Sequence, residues 1–395
     1  MKSIARVLAF IATVALIVGC GSESPKSVLF VGNSYTFARV DPALSYNAAN
    51  VTDLTRPRPD IPDSAFNNLV GTNPWEPHPW GGIAGIFKKF IDEVGLKYNV
   101  SISARNAASL RGQFLNTSPA NWDMRGNVAS STWDIVVLQE QSDAALPAGR
   151  GKNANLPQFN AYADKFEHYI HNGAAETYTE TDLLGGLSGC IATGQSASAC
   201  NTPRVISENS HASARTKVYL TQTWARPDMV FSHLITTPDT TTSDGRPIVD
   251  TSTAGGQATL YYSSLADMTK DLHTSFYTKA STNPNFAGVV PVGDAFQSAV
   301  DQNLVKTSDF YNSSGTYNVA RPGDPMNLWW DDYLHASKYG SYLDALVMFG
   351  AITGRDPQSL GSNEQAAHDL GISSADARTL QQVAGQQLGF PRASH

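Results

Sequence analysis

The feature that most constrains this chain is a short apolar run near its start, residues 28–31, which reads Val-Leu-Phe-Val. Four consecutive apolar residues predict a strand that is buried on both faces, as in a parallel sheet. The run ends in Gly32-Asn33-Ser34, a turn sequence that can hold a side chain over the carboxyl edge of a sheet, where open α/β sheets bind ligands. Ser34 is therefore a candidate nucleophile, and an ordinary turn between a strand and a loop is the alternative.

Four further strands are predicted, near residues 100, 136, 219 and 289, with helical periodicity in most of the sequence between them. Such alternation is typical of a parallel sheet that helices cover on both faces. The predicted fold is therefore a three-layer α/β/α sandwich around a central, mostly parallel five-stranded sheet. No internal repeat or Pro/Ser-rich linker divides residues 28–395, which favours one domain with long insertions at about 41–80 and 173–214.

The composition argues against one broad class of partner. The formal net charge of the 395 residues is −7, and no basic run is longer than Lys88-Lys89, so a nucleic-acid-binding surface is not expected. The sequence also lacks the patterns of phosphate-binding loops, CxxC pairs and HExxH metal sites. We therefore expect no cofactor and no metal.

Residues 1–19 have the pattern of a secretory signal peptide. Two cations, Lys2 and Arg6, precede an apolar stretch that is too short to span a bilayer. The stretch ends in Ile17-Val18-Gly19-Cys20, which resembles a bacterial lipobox and makes Cys20 the expected lipidation site; ordinary signal-peptide cleavage is the alternative. Residues 20–27 would form a polar tether. The protein is then expected to be lipid-anchored in the bacterial cell envelope, on the periplasmic side or at the cell surface.

The other two cysteines, Cys190 and Cys200, lie in a stretch rich in small residues. An exported chain favours a disulfide between them, because disulfides persist in oxidising compartments. The alternative is two free thiols. The stretch between them carries no candidate catalytic group, so the disulfide is expected to be peripheral to catalysis.

A second chemical motif lies near the other end of the chain, in Asp331-Asp332-Tyr333-Leu334-His335. A serine hydroxyl becomes a good nucleophile when a neutral imidazole takes its proton, and a carboxylate beyond the imidazole stabilises the imidazolium that forms. Asp332 lies three residues before His335, so its carboxylate can fold back to the ring within one turn. Asp331 would need a wider turn and is expected to face solvent or cap the loop. The predicted triad is therefore Ser34, His335 and Asp332.

Together, the two motifs resemble the SGNH (GDSL-like) hydrolase superfamily. In that family the serine follows the first strand, and the aspartate and histidine share one late loop before a helix. Here Asn33 stands where many members have aspartate, and a helix is predicted over residues 339–352, after the histidine. The resemblance implies the α/β/α fold predicted above and the activity of a serine esterase.

The resemblance also implies an oxyanion hole with three donors. These are the backbone N–H of Ser34, a backbone N–H at Ala108 or alternatively Ala107, and a side-chain amide at Gln141 or alternatively Gln139. The family usually has glycine at the second position and asparagine at the third, so this chain departs from the pattern at both. Alanine is tolerable as a backbone donor if its φ is negative, and a glutamine amide has the same donor chemistry as asparagine. A glutamine that only caps the strand end is the alternative.

The expected function is hydrolysis of O-acyl esters in a small-molecule or polymeric substrate. The resemblance implies deacetylation of carbohydrate as one branch and leaves lipid, aryl and polyester esters open, as well as acyl transfer on the same triad. A non-catalytic surface binding module is the alternative in another class. Aromatic residues from Trp75 to Trp80 and at Trp329-Trp330 would suit a sugar face, or equally an aromatic or polyester chain.

Overall fold

The structure, a computed structural model, describes residues 24–55, 78–117, 122–235, 254–315, 318 and 325–391. The predicted signal peptide, the lipidation site Cys20 and residues 56–77 of the first predicted insertion lie outside these ranges. Within the described ranges, no helix combines the length and the apolar character that crossing a membrane requires.

A six-stranded sheet in which all neighbouring strands run parallel forms the centre of the fold. The strands, in chain order, are β1 Lys26–Gly32, β2 Thr52–Asp53, β3 Tyr98–Ala104, β4 Ile135–Gln139, β5 Glu176–Tyr178, β6 Arg204–Ile206, β7 Lys217–Thr221 and β8 Phe286–Val290. Across the sheet their order is β2-β3-β1-β4-β7-β8, while β5 and β6 form a separate antiparallel pair. All five predicted strands are present, and the two-residue β2 adds an edge that the sequence analysis did not predict.

The strand order places a topological switch point between β1 and β4. From β1 the chain crosses to β3 on one side, and from β4 it crosses to β7 on the other. In open α/β sheets such a point leaves a crevice beyond the carboxyl ends of the strands, where ligands bind. Both chemical motifs that follow a central strand, one after β1 and one after β4, therefore lie at this crevice.

Helices cover both faces of the sheet, which confirms the predicted three-layer arrangement. They are α1 Gly82–Glu93, α2 Leu110–Leu115, α3 Met124–Val128, α4 Leu156–His171, α5 Glu180–Leu183, α6 Leu187–Ala192, α7 Ala197–Asn201, α8 Leu265–Thr282, α9 Val292–Asp301, α10 Lys338–Thr353, α11 Gln365–Asp369 and α12 Ser374–Gln387. One layer contains α1, α9, α10 and α12, which pack on one another, and α2, α3, α4 and α8 belong to the other layer.

The helix that follows the candidate histidine, α10, lies deep in the core. Every residue from 340 to 350 is buried, which is the pattern of a helix surrounded by protein on all sides. Its first turn is capped by the Ser337 side chain, which accepts the N–H of Tyr339 at 3.1 Å. The loop that carries His335 is therefore anchored to the core at its carboxyl end.

The predicted insertion at 173–214 folds as a small unit outside the main sheet. It contains α5, α6, α7 and the β5–β6 pair, and a disulfide joins the fully buried Cys190 and Cys200. This agrees with the pairing expected from the sequence.

One buried carboxylate, that of Glu180, attaches this insertion to the main domain. Its oxygens accept hydrogen bonds from Arg111 Nε at 2.6 Å, Tyr162 Oη at 2.8 Å and Arg204 at 2.8 Å. Burial favours the protonated form, but these donors outweigh it and lower the pKa of Glu180 below its usual value. Removing one partner of such a buried, paired charge is strongly destabilising, so Glu180 fixes the insertion against α2 and α4.

The double variant Cys190→Ala/Cys200→Ala should unfold more easily, because opening the loop raises the conformational entropy of the unfolded chain. Chain-entropy arithmetic for a sequence separation of 10 gives a loss of about 3 kcal/mol. Esterase activity measured well below the unfolding transition should be retained, since the insertion supplies no candidate catalytic group. Wild type in a reducing buffer is the matched control. Loss of activity in a variant that still unfolds cooperatively would contradict the peripheral role.

Candidate active site

The candidate nucleophile, Ser34, lies on a tight turn directly after β1. The turn is closed by the Asn33 carbonyl, which accepts the N–H of Thr36 at 2.9 Å. A Cβ atom at Gly32 would overlap Thr36 Oγ1 and would lie 2.7 Å from Gln139 Oε1. Glycine is therefore required at this position for the turn to pack directly against the end of β4.

Asn33 joins this turn to two other segments. Its Nδ2 donates to the carbonyl of Ala108 at 3.0 Å and to that of Glu140 at 3.3 Å, and its Oδ1 accepts the N–H of Tyr35 at 3.1 Å. A carboxylate has no hydrogen to donate to these two carbonyls. Asparagine therefore fits these surroundings chemically, and aspartate in the same place would not.

Ser34, His335 and Asp332 lie in one continuous chain of hydrogen bonds. His335 Nε2 is 2.8 Å from Ser34 Oγ, and His335 Nδ1 is 2.6 Å from Asp332 Oδ2. The serine and the histidine are buried. One ring nitrogen can thus act on the hydroxyl proton while the other is held by a carboxylate, which sets the tautomer. The structure brings together the three residues predicted from opposite ends of the chain.

The Asp332 carboxylate is held in its ionised form. Burial alone would raise the pKa of this group, but the charge of His335 and hydrogen bonds from His335 and the Leu334 N–H outweigh it and lower the pKa to about 2. Asp331, in contrast, is exposed and makes no hydrogen bond or ion pair with the described residues. The geometry therefore favours Asp332 over its neighbour as the partner of His335.

The loop from Asp332 to His335 turns back through an unusual backbone conformation at Tyr333, whose φ is 52°. The left-handed region is costly for an aromatic residue, which stays there only where its surroundings enforce it. The buried Tyr333 ring packs edge-on against Phe310 and Tyr311, with centroids 4.9 Å apart in each pair. This packing supports the turn that brings the carboxylate to the imidazole.

Two aromatic side chains hold the same loop from the side of the nucleophile. The Leu334 carbonyl accepts from Tyr35 Oη at 2.9 Å and from Trp224 Nε1 at 3.1 Å. The two rings stack with 3.9 Å between centroids, and Tyr35 meets the His335 ring edge-on at 5.7 Å. Because Tyr35 directly follows Ser34, these contacts tie the nucleophile turn to the histidine loop. Sequence reasoning did not identify this role.

Two backbone N–H groups are available as oxyanion donors. Those of Ser34 and Ala107 make no hydrogen bond with the described residues. The N–H of Ala108 already donates to the Arg105 carbonyl at 3.1 Å, and Ala108 is fully buried, so the alternative Ala107 is the better candidate. The negative φ required above is not found at Ala107: its φ is 55°, which costs an alanine roughly 1 kcal/mol. Glycine would adopt this conformation freely.

The two candidate glutamines differ in how many hydrogen bonds their side chains already make within the protein. Gln139 Oε1 accepts two hydrogen bonds from the nucleophile turn, one of them from the Asn33 N–H at 3.1 Å, and its amide nitrogen donates to the Glu140 carbonyl. Gln139 therefore caps the strand end, as the alternative interpretation held. Gln141 is half-buried, and its amide nitrogen donates to Ser142 Oγ at 3.1 Å, which leaves its second hydrogen for a ligand.

A buried ion cluster that was not predicted from the sequence lies next to Gln141. The Arg226 guanidinium lies 3.1 Å from Asp143, 2.6 Å from Asp228 and 2.8 Å from Ser142 Oγ, and all four side chains are buried. Since Ser142 also accepts the Gln141 amide, the cluster supports that candidate donor. The local signal was an Arg-Pro turn at a strand end, but its partner Asp143 lies 83 residues away in sequence.

Two of the four tryptophans expected to line a substrate groove are buried in the fold. Trp80 and Trp329 are buried at 1% and 2% exposure, and Trp75 lies outside the described residues. Trp330 is 39% exposed, and its backbone N–H donates to the His335 carbonyl at 2.9 Å. Trp330 is therefore an aromatic surface adjacent to the triad that a substrate can reach.

In the part of the chain that the structure describes, no group of three or more His, Cys, Asp or Glu side chains is arranged so that it could hold a metal ion. Glu167 and His171 on α4 form an ion pair at 2.6 Å, and Glu167 is buried. His171 Nε2 also lies 2.7 Å from the Thr216 carbonyl. Both ring nitrogens face acceptors, which raises the pKa of His171 and makes this pair a structural contact.

Comparisons with known proteins return hydrolases and proteins of related fold. No family model matches the chain, and no curated protein matches its sequence. A DUF4886 family protein from Bacteroides uniformis is 12% identical over 94% of this chain and 98% of that one, with a TM-score of 0.43. A candidate SGNH hydrolase from Slackia heliotrinireducens is 14% identical over 83% and 100%, with a TM-score of 0.35. A Geobacillus acetyl-xylooligosaccharide esterase is 11% identical over 84% and 94%, with a TM-score of 0.31. Similarity at this level carries no conclusion about the substrate.

Replacing Asp332 by asparagine should lower kcat by up to about 10⁴-fold, because an amide no longer holds the imidazole in the required tautomer. Asp331→Asn is the matched control and should stay within a few-fold of wild type, since its carboxylate is exposed. Both variants are assayed on a p-nitrophenyl ester, with the melting temperature measured alongside. If Asp331→Asn is the more damaging change, the triad described here is wrong.

The two glutamines are separated by a second pair of variants. Gln141→Ala should lower kcat by about 10²- to 10³-fold, the usual cost of one oxyanion donor, with little change in melting temperature. Gln139→Ala should instead lower the melting temperature, because it leaves the buried Asn33 N–H without its acceptor. Full activity in Gln141→Ala would mean that another group is the third donor.

Proposed function

We propose that this protein is a serine esterase that hydrolyses O-acyl esters through an acyl-enzyme intermediate. The observation that carries the proposal is the hydrogen-bond chain from Ser34 Oγ through His335 to Asp332, with distances of 2.8 Å and 2.6 Å. A hydroxyl, a base in contact with it and a carboxylate that orients the base are the parts that nucleophilic catalysis requires. Their place at the switch point of an open sheet supports a ligand-binding role.

In the acylation step, Ser34 Oγ attacks the ester carbonyl carbon while His335 Nε2 takes the hydroxyl proton. The ionised Asp332 stabilises the imidazolium that forms. The negative oxygen of the tetrahedral intermediate would be bound by the N–H groups of Ser34 and Ala107 and by the Gln141 amide. Each donor of this kind typically contributes about 2.7 to 4 kcal/mol to transition-state stabilisation.

The imidazolium then gives its proton to the leaving alcohol as the ester C–O bond breaks, which leaves the acyl group on Ser34. In deacylation, a water molecule attacks the acyl carbonyl and His335 takes one of its protons. The second tetrahedral intermediate collapses with return of that proton to Ser34 Oγ. The products are a carboxylic acid and an alcohol.

The exposed Trp330 beside the triad supports a substrate with a flat apolar face. A sugar ring offers such a face, so we favour removal of small acyl groups, such as acetyl, from carbohydrate. Aromatic, lipid and polyester substrates are the alternatives in the same chemistry. Acyl transfer uses the same triad with an alcohol in place of water, and product analysis with and without an acceptor alcohol separates the two.

The cellular location proposed here is the bacterial cell envelope, with the chain anchored through Cys20. The lipobox-like sequence before Cys20 supports it. The disulfide between Cys190 and Cys200 also supports it, because such bonds persist in oxidising compartments. Mass spectrometry of the N-terminal peptide from the membrane fraction tests this location, and an unmodified cysteine would refute it.

Ser34→Ala should abolish esterase activity with a nearly unchanged melting temperature, because it removes only the attacking oxygen. A fluorophosphonate probe should label wild type at Ser34 and leave the variant unlabelled. The substrate class is tested on p-nitrophenyl esters of increasing acyl length and then on acetylated oligosaccharides. Labelling elsewhere, together with full activity in Ser34→Ala, would refute the proposed nucleophile.

A further inference from the structure

A small internal cavity lies between α10 and the central strands, against the turn that carries Ser34. It is lined by Tyr35 and Thr36 of that turn, by Gln139 and Thr221 at the ends of β4 and β7, and by Asp344 on α10, together with apolar side chains. All the lining residues are buried. The cavity offers about 10 Å³ of room for the centre of a water molecule, which is enough for one.

Two of the residues that line this cavity each have a polar atom without a hydrogen-bond partner among the described residues. The atoms are Asp344 Oδ1 and Thr221 Oγ1, whose side chains are 3% and 2% exposed. A buried polar atom without a partner is costly, and native proteins usually satisfy such atoms with protein or with ordered water. A small molecule that can form hydrogen bonds would satisfy both atoms.

The other polar groups that line the cavity already have partners. Thr36 Oγ1 donates to Gln139 Oε1 at 3.0 Å, Thr223 Oγ1 donates to a backbone carbonyl at 2.9 Å, and Tyr35 Oη donates to the histidine loop.

Asp344 has no counter-charge in the cavity. Tyr35 is the other titratable residue of the lining, and no cationic side chain lines the cavity. Burial without a counter-charge raises the pKa of Asp344 well above its usual range, so its carboxyl is protonated and can both donate and accept.

We propose that this cavity is a binding site for one water molecule, held between the carboxyl of Asp344 and the hydroxyl of Thr221. Two hydrogen bonds from these side chains are within the range of two to four that buried waters make. The water would complete the polar contacts under the nucleophile turn. The site is independent of the proposed esterase activity.

A crystal structure of the chain that resolves ordered water tests the site directly. We expect one peak in the cavity within about 3 Å of both Asp344 Oδ1 and Thr221 Oγ1. The melting temperature should be equal in sodium chloride and choline chloride at the same ionic strength. An empty cavity would overturn the proposal, and so would stabilisation by sodium alone, which would indicate a cation on an ionised carboxylate.

Thr221→Val tests the site without crystals. Valine has the shape of threonine, and removing the Thr221 hydroxyl breaks no hydrogen bond within the described protein. If water is bound, the variant removes one of its partners and should lower the melting temperature. If the cavity is dry, the variant removes an unpaired buried hydroxyl and should leave the melting temperature unchanged or raise it. The second result would overturn the proposal.

Asp344→Asn tests the neutral carboxyl. When the folded-state pKa of an acid lies above the unfolded value of about 3.9, the folded chain keeps a proton that the unfolded chain releases. Wild type should then lose stability relative to the variant as the pH rises from about 4 to about 8, seen as a growing difference in urea midpoint. A difference that does not change with pH would overturn the proposal. Asp301→Asn, at the exposed end of α9, is the matched control for the loss of one carboxylate.

Discussion

The close approach of β1 and β4 at their carboxyl ends is the constraint on which the rest of the site depends. The two strands pair in parallel with Val31 opposite Leu138, so the next residues, Gly32 and Gln139, lie side by side. Any side chain at Gly32 would collide with Gln139, and without one the Gln139 amide oxygen accepts the Asn33 N–H at 3.1 Å. Ser34 is thereby fixed to the sheet instead of being carried on a free loop. A site built on such rigid elements can hold its geometry closely.

The histidine side of the site is assembled in a different way, on a loop that packing makes rigid. His335 and Ser34 are 301 residues apart in sequence, so their contact forms only when the whole domain has closed. The core helix α10 fixes one end of the loop, the buried Tyr333 ring fixes its turn, and two hydrogen bonds to the Leu334 carbonyl fix it against the nucleophile. These supporting residues therefore fix the position of the imidazole relative to Ser34.

The sequence predicted the parts of this structure that depend on local pattern. An unbroken apolar run indicated β1, and the spacing of Asp332 and His335 indicated which carboxylate reaches the ring. What it did not predict depends on contacts between distant segments. The Arg226–Asp143 pair joins residues 83 positions apart, and β2 is two residues long and has no periodicity to read. The choice of Ala107 over Ala108 also required the structure, because it depends on which backbone N–H is already used within the fold, and that of Ala108 donates to the Arg105 carbonyl.

Unfavourable contributions to stability are concentrated at the same edge of the sheet. Ala107 and Tyr333, each at or beside a candidate site residue, have a left-handed backbone, and such outliers cost about 1 to 3 kcal/mol each. The buried Arg226 cluster carries a desolvation cost that its partners must offset. Donors that such a network already orients need no rearrangement when negative charge develops on a reacting oxygen. The apolar core around β1 and α10 offsets these costs, so the stability of the core and the preorganisation of the site are linked through the strands that they share.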